Sequence, residues 1–130
     1  MNKKRVDGWI LTAKEAIEVA KIAENGEVNK SFRGQISSFG ASLVMGSFKS
    51  AVAFFTEQGG ASVERQKLLV AMYFIISDGE VKEPKYVFDY ACKNDTKELK
   101  EQFIDASIAI KLALNFFDLR EGKAQGEKAE

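Results

Sequence analysis

A chain of 130 residues with 19 basic and 19 acidic side chains has no net charge, so no global field draws it onto nucleic acid or an anionic membrane. It has one cysteine, Cys92, and no histidine. The lone cysteine excludes an internal disulfide and fits a reducing, cytoplasmic setting, while the missing histidine removes the usual general base, the commonest metal ligand and the histidine-activated nucleophile pairs.

The length suits one domain, 1–120, and the spacing of apolar residues is helical almost throughout. No signal peptide is expected, because MNKKRVDGW lacks an apolar run behind its basic residues. In the first segment Val6, Ile10, Ala13, Ile17 and Ala20 recur at three and four residues, with Trp9 and Ala16 widening the stripe. Asp7 can cap its start, and Asn25-Gly26 supplies a stop. A second helix is expected after Asn29, with Phe32, Ile36, Phe39 and Leu43 on one face and a break near Gly46. A third carries Phe48, Val52 and Phe55 and ends at Gly59-Gly60.

Ser62 is read as the cap of a fourth helix, Val63–Ser77, in which Leu68, Leu69, Met72, Ile75 and Ile76 face inward. Asp78-Gly79 signals a turn, and Pro84 sits in the first turn of a short helix through about Ala91. Asp95 with Glu98 forms a capping box for the longest helix, Thr96–Arg120, whose inner stripe is Phe103, Ala106, Ile110, Ala113 or Leu114, and Phe117. The polar tail 121–130, EGKAQGEKAE, is expected to be disordered. The fold class is therefore all-α, a single compact bundle of about six helices.

Between Arg33 and Glu57 the only charge is Lys49, in a stretch of phenylalanines, glycines and serines. Its longest uncharged run, Gly34–Phe48, falls short of the roughly 18–20 apolar residues of a membrane span. Gly34, Gly40 and Gly46 are not a phosphate loop, since no Gly-Lys-Ser/Thr follows them. They read as points of kinking and close helix crossing.

Glu15 with Glu18, Glu80 with Glu83 and Glu98 with Glu101 stand at helical spacing, but among lysines on faces that read as solvated. Cys92 has no histidine to activate it. No catalytic residue, metal ligand or cofactor site is assigned, and an enzyme is the weakest reading. A deep pocket around one carboxylate pair would revive it.

Basic residues are the one binding feature. Lys3, Lys4 and Arg5 precede the first helix, Lys14 and Lys21 lie on it, and Lys30 and Arg33 open the second. Arg65 and Lys67 open the fourth, and Lys49 and Lys111 are isolated on apolar helices. An isolated lysine on apolar surface persists only where its ammonium reaches water or a partner. Arg33, Lys49, Lys67 and Lys111 are the candidate nucleic-acid-binding residues. The adjacent pairs Phe54-Phe55 and Phe116-Phe117 imply a broad buried face or an apolar surface left for a partner.

The order of elements, with SSFGASLVMGSFKSAVAFF followed by IDASIAIKLALNFFDLREG, resembles the small subunit of type III-B CRISPR–Cas effectors, the fifth protein of the Cmr complex. The resemblance spans most of residues 5–120. Gly46-Ser47-Phe48 stands where that family has Gly-Leu, and Ala53-Phe54 matches its Ala-Phe. Asn115–Arg120 echoes the Trp-Leu-Lys-Arg ending without the tryptophan and one base.

The resemblance implies a non-catalytic subunit in antiviral defence. Such a subunit stacks with copies of itself, contacts the repeated backbone subunits and helps line the groove holding crRNA and target RNA. The rival from another class is a stand-alone helical protein–protein interaction adaptor or dimer without nucleic-acid binding, using the paired phenylalanines as its interface.

Overall fold

The computed structural model describes residues 1–56 and 64–120. Gly59-Gly60, Ser62, Val63 and the tail 121–130, at which sequence had placed a helix end, a cap, a helix start and disorder, lie outside the described residues.

Helix α1 (Lys3–Val19) is capped by Asn2, whose side chain accepts from the Arg5 N–H at 3.0 Å. The cap is thus Asn2 and not Asp7. The earlier start has a physical reason, because the Asn2 N–H and the Arg5 guanidinium both reach the carboxylate of Asp105. The other end of α1 closes in a Schellman motif. Lys21 is left-handed at φ 62°, its N–H donates to the Glu18 carbonyl, and Ile22 N–H donates to the Ile17 carbonyl.

Asn25-Gly26 is not merely a helix stop. Both residues have positive φ and form the two-residue turn between strands β1 (Ala23–Glu24) and β2 (Glu27–Asn29), paired antiparallel with Ala23 opposite Val28. A third strand, β3 (Asp118–Arg120), runs parallel to β2 with Val28 opposite Leu119.

Helix α2 (Ser31–Met45) buries the expected Phe32, Ile36, Phe39 and Leu43. It ends at Gly46, where a Cβ would stand 3.1 Å from the Ser42 carbonyl oxygen, so the close approach favours glycine. Helix α3 (Phe48–Thr56) buries Phe48, Ala51, Val52 and Phe55. Phe39 meets Phe55 edge-on at 4.9 Å, and Phe103 lies 5.1 Å from Phe48. These rings join the second, third and last helices.

Helix α4 (Gln66–Ile76) is buried on nearly every side, as befits a central helix, and ends in a second Schellman motif through Asp78 and Gly79. Ile76 is only half-buried. Helix α5 (Pro84–Lys93) begins with proline, which needs no N–H partner there.

Helix α6 (Lys97–Ala113) is capped by the Thr96 hydroxyl, which accepts from Leu99 N–H at 3.1 Å, one residue later than the capping box centred on Asp95. It packs on α1, α2 and α4. The chain does not stay α-helical to Arg120. A 3-10 turn (Leu114–Phe116) leads into β3, because Asp118 N–H and the Arg120 carbonyl pair with Gly26 and Lys30 of the hairpin. Among the described residues the architecture is six helices around one apolar core with a minimal three-stranded sheet.

Candidate interaction surface

The uncharged stretch behind Arg33 builds α2 and the start of α3, and its outward face is unusually apolar. Val44, Met45 and Phe54 are 69%, 86% and 59% exposed. Val44 and Met45 stand on α2, which already buries four large side chains, and Phe54 on α3, so each helix shows apolar surface available to a partner.

Two grooves flank α2. One, of about 440 Å³, lies against α3 and mixes Ser38, Ser42, Ser47 and Ser50 with Met45 and Phe54. The other, of about 420 Å³, lies between α2 and α6. Its walls are Ile36, Val44, Ile104 and Ile108. The two helices approach closely at Gly40, where a Cβ would lie 3.6 Å from Ser107 Oγ.

Lys111 closes the α2/α6 groove at one end. Among the described residues its ammonium has no hydrogen-bond or ion-pair partner. Arg33 lies at the same end, its guanidinium donating to Asn115 Oδ1 at 2.9 Å. Asn115 is one helical turn beyond Lys111. Asn115 is neutral, so among the described residues the charge of Arg33 is held in place without being cancelled. Sequence spacing gave no sign of this partner, because it lies 82 residues away.

The other two candidate residues lie elsewhere. Lys49, half exposed at the start of α3, faces Asp95 at 3.8 Å. Lys67 on α4 donates to the Lys21 carbonyl at 3.1 Å and pairs with Glu64 at 3.1 Å. Its ammonium closes the end of α1. The four cations therefore do not form one patch: Arg33 and Lys111 come together, while Lys49 and Lys67 are each engaged with a local acid.

The phenylalanine pairs split. Phe55 is fully buried and Phe54 exposed; Phe117 is half-buried and Phe116 is 54% exposed. Arg65 stacks 4.0 Å above Phe54, and Lys14 stands 5.8 Å from the Phe117 ring.

All six members of the three carboxylate pairs are exposed. Glu98 and Glu101 line a polar hollow of about 380 Å³ with Asn2, Arg5 and Asp105, and Arg5 neutralises the buried Asp105 within it. No group of three metal-ligating side chains occurs among the described residues. Among them, too, no helix is long and apolar enough to cross a membrane.

Among the described residues the most perturbed titratable group is Tyr73. Burial, reinforced by Tyr86, pushes its phenol to about 12. Tyr73 sits edge-on to Tyr86 and Tyr90 at 5.6 and 5.2 Å, an arrangement that packs α4 on α5. The sequence matches no protein-family model, no curated protein and no solved structure.

Proposed function

We propose that this protein is a non-catalytic small subunit of a type III-B CRISPR–Cas (Cmr) ribonucleoprotein complex in antiviral defence. In that role it supports assembly along the groove holding crRNA and target RNA and makes sequence-independent phosphate contacts. Its partners would be other subunits of the complex, including copies of itself. The observation that carries this reading is the outward face of α2, where exposed Val44 and Met45 line the groove that Lys111 closes, with Arg33 at the same end, two cations without an acidic partner among the described residues. Apolar area supplies subunit contact, and cations at its margin suit phosphate oxygens, which position a chain without reading its sequence.

Lys49 and Lys67 enter the same reading as weaker contributors, since each already faces a carboxylate. The exposed rings of Phe54 and Phe116 favour a second reading, an adaptor or dimer with no role in RNA binding. Co-purification of the tagged protein from its host separates the two. Recovery of guide RNA with helical partner subunits, lost as salt is raised, supports the first. Recovery of protein partners alone, insensitive to salt, supports the second.

A further inference from the structure

We infer that the α2/α6 groove receives helix α1 of a second copy of this chain. The inference rests on the assembly reading above and adds which two surfaces meet. In its own chain α1 buries Val6, Ala13, Ala16 and Ile17. Its outward stripe is Lys4, Asp7, Leu11, Glu15 and Glu18, all exposed, with Leu11 at 74%.

The outer row of α6 and the stripe carry matching charges in opposite order. Ile104, Ile108 and Lys111 of that row line the groove, and Glu101 lies one turn before them, at the polar hollow. Along α6 the outer row runs Glu101, Ile104, Ile108, Lys111, placing an acid and a base ten residues apart, about 15 Å. Along α1 the row runs Lys4, Gly8, Leu11, Glu15, placing a base and an acid eleven residues apart, about 16 Å. Laid parallel, Lys4 meets Glu101, Leu11 covers Ile108 and Glu15 meets Lys111. Glu18 then falls near Arg33 at the end of the groove.

The reverse orientation sets Lys4 against Lys111 and Glu15 against Glu101, so charge selects one direction. Gly8 adds a steric condition. Nothing lies within 4 Å of a Cβ built there, so packing within the monomer does not require glycine, and the lack of a side chain lets the two helices approach over Ile104.

Sedimentation equilibrium on the full chain tests the contact. Wild type is expected to self-associate. Lys111→Glu, and separately the double change Glu15→Lys with Glu18→Lys, should each weaken association more than about tenfold, since like charges then face each other. An equimolar mixture of these two variants should associate again, because the unaltered α1 stripe of the Lys111→Glu copy then meets the unaltered groove of the doubly changed copy.

Gly8→Gln should leave helicity unchanged or raised, and it should weaken association by obstructing close approach. A wild type that stays monomeric at every accessible concentration, or variants that associate as tightly as wild type, overturns the inference. Incorporation into an RNA-containing complex, measured by pull-down with the same variants, reports separately on the proposed function.

Discussion

Arg5 grips a carboxylate, that of Asp105, which has no solvent exposure. Its Nη2 and Nε both reach Oδ2, at 2.7 and 2.8 Å, across a hundred residues of chain. Removing the guanidinium leaves a buried charge without a counter-ion. Arg5→Ala is therefore expected to cost about 3 kcal/mol, whereas Arg5→Met with Asp105→Leu should recover most of it. Urea unfolding followed by circular dichroism measures both.

Lys21 holds a left-handed conformation at φ 62° that an L side chain enters at a cost. Lys21→Gly should raise stability by about 0.5–1 kcal/mol, because glycine adopts that geometry freely. The Lys67 ammonium binds a backbone carbonyl and keeps its acceptor in this variant. A lower urea midpoint than wild type would contradict the expectation.

Tyr73 makes stability fall at alkaline pH. Its phenol ionises near 10 when unfolded and at about 12 in the fold. Between those values the native state holds more protons than the unfolded state, so unfolding becomes easier as pH rises. Tyr73→Phe should remove up to about 3 kcal/mol of this loss between pH 10 and 12. Thermal melts at stepped pH, compared with wild type, read the difference.

Phe103 is fully buried and joins the ring cluster of α2 and α3. Phe103→Ala should cost about 3–5 kcal/mol. Phe54→Ala should cost far less, since its ring is largely exposed and loses chiefly its contact with Arg65. Equal losses in chemical denaturation would show that Phe54 is part of the core in solution.

If RNA is bound, Lys111→Gln and Arg33→Gln should each lower the slope of log affinity against log salt by about one, independent of RNA sequence. Lys67→Gln should change stability before it changes binding, given its bond to Lys21 and its pairing with Glu64. Filter binding across a salt series with two unrelated RNA sequences tests this ordering.

The helices were legible because periodicity reports which side chains face a core: Phe32, Ile36, Phe39 and Leu43 are all buried. Asn25-Gly26 was ambiguous, since positive φ serves a helix end and a hairpin turn alike. Residues 114–120 contain no breaker, and their pairing with β2 depends on backbone groups about ninety residues away. Asp105 sits unannounced between Ile104 and Ala106, its partner a hundred residues earlier. The lone cations were visible as residues, but whether each is cancelled depended on Asn115, Asp95 and Glu64, which only the fold brings near.

The parallel pairing of β2 with β3 also orders events during synthesis. Residues 27–29 leave the ribosome early, yet their partners at 118–120 are made about ninety residues later. At about 5–20 residues per second that interval is on the order of 5–20 s. The hairpin must wait with one edge unpaired while the helices behind it dock. A nascent chain stalled before Asp118 would therefore present that edge to any neighbouring strand on the polysome.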